Sequence, residues 1–417
     1  MTTFQVISLL VTLTALFAFL NRRFLRLPAT IGVTVIGLAV SLALLALGNS
    51  NLPLVPATVG VLSRVPFDEV LFQGLLSFLL FAGALGVNTN ALVRQSGAVL
   101  TFALVSTLIS VLLVGALVYG LLNLAGLSVP FDAALLFGAI ISPTDPVAVL
   151  DLLKRAKVPR RLEALIAGES LFNDGIGVVL FAVLASVALG GRTVDGGQVA
   201  LLFVREALGG VAFGAALGLA AAWLLRQVDD YVVEVLITLA VVTGGYTLAG
   251  LLHVSGPLAM VVAGLIVGQV MERGALSATS RPRVEGFWHL TDELLNVGLF
   301  VLIALEVIVV NFSPQTLLLG LACVPIVLFS RAISVRLPLL ALQQRYTFSP
   351  FTSRIMTWGG LRGGIAVALA FSVPPGPLRT PFLVLTYVVV VFSIVVQGLS
   401  MERLARRAGG NAGGQGP

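Results

Sequence analysis

Long apolar runs separated by short clusters of turn-forming and charged residues fill the chain from one end to the other. Each run is about 17 to 25 residues long, enough to cross roughly 30 Å of hydrocarbon at about 1.5 Å of rise per residue. Read between the breaker clusters, the pattern predicts thirteen transmembrane helices, over 4–20, 30–47, 70–88, 98–121, 133–152, 163–189, 199–225, 231–251, 256–272, 288–310, 316–336, 354–374 and 381–400. Two of these spans carry breakers in their middle. Span 5 contains SPTDP, Ser142 to Pro146, and span 12 contains GGLRGG, Gly359 to Gly364. The two lie seven spans apart, so they run in opposite directions. That is the relation an inverted repeat requires, spans 1–6 against 8–13 with span 7 as connector. No repeat is readable as sequence identity.

Composition agrees with an all-α polytopic membrane protein. Of the 417 residues, 58% are hydrophobic and 11% charged, and the mean hydropathy is +1.06, far outside the range of soluble domains. Nothing is left over for a soluble domain. The single cysteine, Cys323, sits in an apolar run, which excludes a disulfide framework and a multi-cysteine metal site. The net charge of +6 does not point to nucleic acid, because the basic residues are scattered over many short loops. With the amino terminus outside, 19 of the 25 basic residues fall in inside loops and 4 in outside loops, the bias expected of cytoplasmic loops. The carboxyl terminus is then cytoplasmic, and its GGNAGGQGP tail reads as disordered. Arg22, Arg23 and Arg26 follow the first apolar run, the wrong flank for a cleavable signal, so this segment is expected to be retained.

Charge inside the membrane is costly and marks function by default. Asp145 lies between Pro143 and Pro146, which remove amide donors and free nearby carbonyls, including that of Thr144. Freed carbonyls and a carboxylate are hard oxygen ligands for a small cation; a proline kink with a polar plug is the bland alternative. In span 6, GESLFNDG places Glu169, Ser170, Asn173 and Asp174 within two turns. At about 100° per residue, Glu169 shares a face with Asn173, and Ser170 shares a neighbouring face with Asp174. Asp174, with Ser170 one turn back and Gly175 and Gly177 after it, is read as the ion- and proton-carrying carboxylate, against a plain helix-bonding role. Two basic residues fall within spans. Arg362, among glycines, would offset the carbonyl ends of the half-helices as Asp145 offsets amide ends. Arg331 either pairs with Glu169 or snorkels to the cytoplasmic interface. Asp292 and Glu293 read as facing headgroups or a vestibule, and Asn296 as either lining the pathway or packing helices.

SPTDPVAV, GESLFNDGIGVVLF, DELLNVGLFVLIALE and GGLRGGIAVALAF together resemble the signatures of NhaP-type sodium/proton antiporters of the monovalent cation:proton antiporter-1 family. The resemblance covers nearly the whole chain. It implies a homodimer in the plasma membrane, with a mobile core from spans 3–6 and 10–13 (about 70–189 and 288–400) and a dimerisation domain from spans 1–2 and 7–9 (about 4–47 and 199–272). It also implies an ion site for Na⁺ at the Thr144 carbonyl, Asp145, Ser170 and Asp174, with Asn173 as the Asn of the family's Asn-Asp pair and Glu169 paired to a span 11 arginine. One position departs: many bacterial relatives read FEGAL where this chain has Phe81, Ala82, Gly83, Ala84 and Leu85. The expected activity is electroneutral exchange of Na⁺ or Li⁺ for H⁺ by alternating access. A K⁺/H⁺ antiporter keeps the same mechanism as the alternative, and a cation channel is the remote one. No enzyme is expected, since HExxH and Gly-x-Ser-x-Gly are absent and neither His253 nor His289 lies mid-span. No cofactor is expected beyond the transported ions.

Overall fold

The computed structural model describes residues 3–47, 70–156, 158–190, 196–310, 312–346, 348–349 and 351–412. Among these residues the chain is almost entirely helical and has no strand. The helices are α1 (Thr3–Leu20), α2 (Ala29–Leu47), α3 (Leu76–Leu85), α4 (Thr89–Arg94), α5 (Ser96–Thr101), α6 (Thr107–Leu124), α7 (Phe131–Ile141), α8 (Val147–Arg155) and α9 (Arg160–Ala188). They continue as α10 (Gly196–Leu225), α11 (Tyr231–Leu251), α12 (Gly256–Glu272), α13 (Arg281–Glu306), α14 (Pro314–Leu342), α15 (Thr352–Trp358), α16 (Gly364–Phe371), α17 (Arg379–Phe392) and α18 (Gly398–Ala412). Single π turns precede α3, join α5 to α6 and join α17 to α18. Among the described residues, nine helices are long and apolar enough to cross a membrane, and three shorter apolar helices accompany them, at Val70–Leu85, Phe131–Ile141 and Gly256–Glu272.

The breakers act where the sequence places them. α7 stops at Ile141 and α8 resumes at Val147, while α15 stops at Trp358 and α16 resumes at Gly364. Helix ends differ more from expectation. The run expected to reach residue 310 leaves the α-helix at Glu306 and continues in tight turns, with the amides of Ile308, Val309 and Val310 each bonded three residues back. Tightening of this kind satisfies end carbonyls when the next turn cannot form. α18 runs on through Gly409, Gly410, Asn411 and Ala412, four residues of the stretch read as a disordered tail. Extending an existing helix costs no new nucleus, so a glycine-rich end can still follow the last turn. Residues 413–417 of the tail lie outside the described residues, as do Arg64, Lys157 and Arg192 of the loop charge balance.

Small residues bring the helices together. A Cβ added to Gly210, Gly214 or Gly218 of α10 would run into backbone at Ser255, Ala259 or Ala263 of the α12 segment. Backbones that close gain dispersion contacts, which serve helices whose solvent is as apolar as their side chains, and the Ser255 amide adds a bond to the Glu206 carbonyl of α10 at 3.1 Å. Gly264, on the same α12, sits against Phe81 and Ala84 of α3, and Gly138 of α7 against the Val111 carbonyl of α6. Trp288 is 1% exposed, lies 4.8 Å from the Phe81 ring and donates from Nε1 to Thr238 Oγ1 at 3.0 Å, tying α13 to α11 and α3. On the outer surface, α10 exposes Leu201, Leu208, Leu219 and Trp223, an apolar face suited to lipid.

Gly214→Ile should overpack the α10–α12 seam and cost about 1–3 kcal/mol, read as a lower melting temperature in detergent. Leu208→Ile, on the exposed face of the same helix, should leave the melting temperature unchanged.

A candidate cation site at the helix crossing

The two breaks meet. The Asp145 amide donates to the Leu361 carbonyl at 2.8 Å, forming an isolated antiparallel bridge between the interrupted segments. Each break also carries a charged side chain that meets the other helix's loose end. Arg362 is 2% exposed; its Nη1 donates to the Ser142 carbonyl and to the Pro143 carbonyl at 3.0 Å, at the carboxyl end of α7. Asp145 lies against Gly363, the residue that opens α16, so closely that any Cβ at Gly363 would overlap its carboxylate. A cation thus faces carbonyl ends and an anion faces amide ends, the favourable sense for both helix dipoles.

α9 passes beside this crossing, held close by Gly177, whose missing Cβ leaves room for the Pro143 ring. Its polar face engages Thr144 from three sides. The Thr144 amide donates to Asn173 Oδ1 at 3.2 Å, Asn173 Nδ2 donates to Thr144 Oγ1 at 3.0 Å, and the hydroxyls of Thr144 and Ser170 lie 3.1 Å apart. Asn173 Nδ2 also reaches Glu169 Oε1 at 3.4 Å, so Asn173 links the charge pair to the break.

That charge pair is buried and bidentate. Arg331 donates from Nη1 and Nη2 to the two Glu169 oxygens at 2.7 and 3.0 Å, and from Nε to the Met356 carbonyl at 3.2 Å. Glu169 is 1% and Arg331 4% exposed, so Arg331 does not snorkel. Gly360 leaves the space that the guanidinium occupies. The pair therefore joins α9, α14 and the carbonyl end of α15, a carbonyl partner that no local spacing reveals.

Asp174 differs from all of these. It is buried, with Asp145, Glu169 and Arg362 as its charged neighbours. Its Oδ1 has no hydrogen-bond partner, and neither do Nε and Nη2 of Arg362. Leaving a buried polar atom unsatisfied is costly, so such an atom at the centre of a charged cluster is available to a ligand. Thr144, Asp145, Glu169, Ser170, Asn173, Asp174, Arg331 and Arg362 are all brought to this one crossing. Asp292 has Asp145 of this crossing as a charged neighbour, whereas the side-chain bonds of Asn296 and Glu293 stay on their own helix. Asn296 is buried but turned on its own helix, donating to the Asp292 carboxylate at 3.0 Å and carbonyl at 2.9 Å, while Glu293 is exposed and weakly paired with His289. Ala82 is buried in α3.

Sequence reasoning missed Ser393 and Gln397. The Arg362 amide donates to Ser393 Oγ at 2.9 Å; Ser393 donates to Gln397 Oε1 at 2.8 Å; Gln397 Nε2 donates to the Trp358 carbonyl at 2.9 Å. A serine and a glutamine four residues apart in the apolar run VVVVFSIVVQGL were the available signal.

Interrupted helices crossed over a buried carboxylate cluster define a secondary transporter. The chain matches the family model described as "Sodium/hydrogen exchanger, transmembrane" over residues 9–407. It is 44% identical over 408 residues to the Na⁺/H⁺ antiporter NhaP of Pseudomonas aeruginosa, spanning 97% of this chain and 96% of that protein. With the Na⁺/H⁺ antiporter NhaH of Halobacillus dabanensis it shares 31% identity over 394 residues, 93% of each chain. Among solved structures, the sodium proton antiporter MjNhaP1 of Methanocaldococcus jannaschii superposes with a TM-score of 0.75 at 20% identity over 97% of both chains, a likeness of fold. The chain belongs to the sodium/hydrogen exchanger family, and within it is of the NhaP type.

Glu169→Ala would leave Arg331 buried without its counter-ion, at a cost of about 3–5 kcal/mol. The expected result is a large drop in melting temperature in detergent. Arg331→Ala should cost a similar amount, and wild-type stability in both variants would remove the structural role of the pair.

Proposed function

We propose that the protein exchanges Na⁺ or Li⁺ for H⁺ across the plasma membrane, with both ligands competing for Asp174. The observation that carries this reading is Asp174 Oδ1, buried and without a hydrogen-bond partner beside two interrupted helices. A carboxylate in this setting takes either a proton or a cation, and each displaces the other. The Thr144 carbonyl, Asp145 and Ser170 would complete the cation's oxygen shell, with Asn173 holding Thr144 in place. Glu169 and Arg331 neutralise one another and Arg362 meets carbonyl ends, which leaves Asp174 as the carrier. One carrier carboxylate beside the neutral Asn173 favours one-for-one, electroneutral exchange.

Coupling requires that the site face one side of the membrane at a time. The mobile unit would be α3–α9 with α13–α18, which contains every ligand, moving against α1, α2 and α10–α12, which would also form a homodimer contact. The flush α3–α12 seam, where Gly264 and Gly268 lie against the backbone of Phe81 and Leu85, is a smooth surface of the kind that sliding needs. The excess of basic loops on one side supports an outside amino terminus and a cytoplasmic carboxyl terminus. Transport of K⁺ is the second reading, favoured by Ala82 where many bacterial relatives carry a carboxylate.

The test is pH dequenching in proteoliposomes on addition of Na⁺, Li⁺ or K⁺, with and without a clamped membrane potential. Na⁺ and Li⁺ should give signals insensitive to the clamp, and Asp174→Ala should abolish them while keeping the wild-type melting temperature. Signals with K⁺ alone would reassign the cargo, and full exchange by Asp174→Ala would remove that carboxylate from the carrier role.

A further inference from the structure

The break between α15 and α16 creates two loose backbone ends. α15 finishes at the Trp358 carbonyl, and the Arg362 amide follows the break with no helical partner behind it. Both would be costly if left bare in an apolar interior. One residue pair meets both: Ser393 Oγ accepts from the Arg362 amide at 2.9 Å, and Gln397 Nε2 donates to the Trp358 carbonyl at 2.9 Å. The two side chains are themselves joined, Ser393 donating to Gln397 Oε1 at 2.8 Å. Both are buried, at 0% and 3% exposure.

The helix that supplies them is deformed at that place. Ser393–Gln397 is a π turn, in which the Gly398 amide reaches back to the Ser393 carbonyl. A π turn inserts an extra residue into the helical ladder and re-aims the side chains on it. It interrupts a long apolar helix that contains no proline at that point, so the helix gives up regular bonding where it presents two polar groups to the break. The network extends further in both directions. Trp358 Nε1 donates to Ser400 Oγ at 2.9 Å, and Arg362, whose amide Ser393 holds, places its guanidinium on the carbonyls of Ser142 and Pro143. Those carbonyls immediately precede Thr144 and Asp145.

We propose that Ser393 and Gln397 are positioning residues for cation binding: acting through Arg362, they fix how the α15–α16 break sits on the α7–α8 break, and so set the geometry of Thr144 and Asp145. Neither residue touches the cation. Gln397 holds the Ser393 hydroxyl in the orientation that accepts from Arg362 and itself binds the Trp358 carbonyl, so its effect on the site is shared with Ser393. This inference rests on the assignment of the cation site to Thr144, Asp145 and Asp174.

A double-mutant cycle on Na⁺ affinity tests it. Ser393→Ala, Gln397→Met, their combination and Asp174→Ala are reconstituted in proteoliposomes, with half-saturating Na⁺, maximal rate and melting temperature measured for each. Ser393→Ala and Gln397→Met should each raise half-saturating Na⁺ about fivefold or more while the maximal rate stays within about twofold, and the double variant should fall clearly short of the product of the two single effects. Unchanged Na⁺ affinity in a folded Gln397→Met, or effects that multiply in the double variant, would overturn the proposal. Ser393→Ala removes one oxygen from a helix, so it serves alone should Gln397→Met fail to fold; wild-type half-saturation in it would be equally decisive. Exchange that survives in Asp174→Ala would instead overturn the site assignment, a separate outcome from the cycle.

Discussion

An interrupted helix within a membrane must find partners in protein, water or a bound ion for the backbone groups that it frees, because lipid offers none. Two interruptions, at 142–146 and 359–363, impose that demand twice at one place, and much of the surrounding structure follows from it. The breaks answer part of it by bridging to each other through Asp145 and Leu361. Arg362 answers part from across the crossing, Asn173 from α9, Arg331 from α14, and Ser393 and Gln397 from the π turn before α18. Packing serves the same end: Gly177, Gly360 and Gly363 remove the side chains that would keep Pro143, Arg331 and Asp145 at a distance.

The electrostatics divide labour among like residues. Three carboxylates and two guanidinium groups share the region, and Glu169 is bound bidentately by Arg331. Asp145 is held by its backbone and its packing on Gly363, and Asp174 retains an unbonded oxygen. Paired charges of this kind contribute little net stability, since desolvation offsets most of their attraction. Their value here is arrangement: with Glu169 held by Arg331, a small ligand finds the open Oδ1 of Asp174.

Much of this was legible in the sequence because a proline, glycine or charge within an apolar run is a rare and local departure. SPTDP, GESLFNDG and GGLRGG each announced themselves by composition, and helical periodicity separated the faces of Glu169 and Asp174. Partners that carry no such local mark were not legible. The Met356 and Ser142 carbonyls have no side-chain signature, and Ser393 and Gln397 are ordinary polar residues until the break they serve is known. The α10–α12 seam lay in plain sight as Gly210, Gly214 and Gly218 at a four-residue spacing, but its partner surface on α12 is set by tertiary packing. Helix ends were the least legible, as the turns after Glu306 and the extension to Ala412 show, because an end is decided by small energies that composition does not record.

The bridge between Asp145 and Leu361 also bears on how the protein is made. Its two halves are separated by about half of the chain, so during synthesis the first interruption enters the membrane long before the second exists. Until the segment around Leu361 emerges, the amide of Asp145 and the carbonyls of Ser142 and Pro143 lack their final partners. Closure of so distant a contact is a late event in assembly. The nascent amino-terminal half must therefore remain hydrated, or sheltered by the insertion machinery, at the very residues around which the finished transporter is organised.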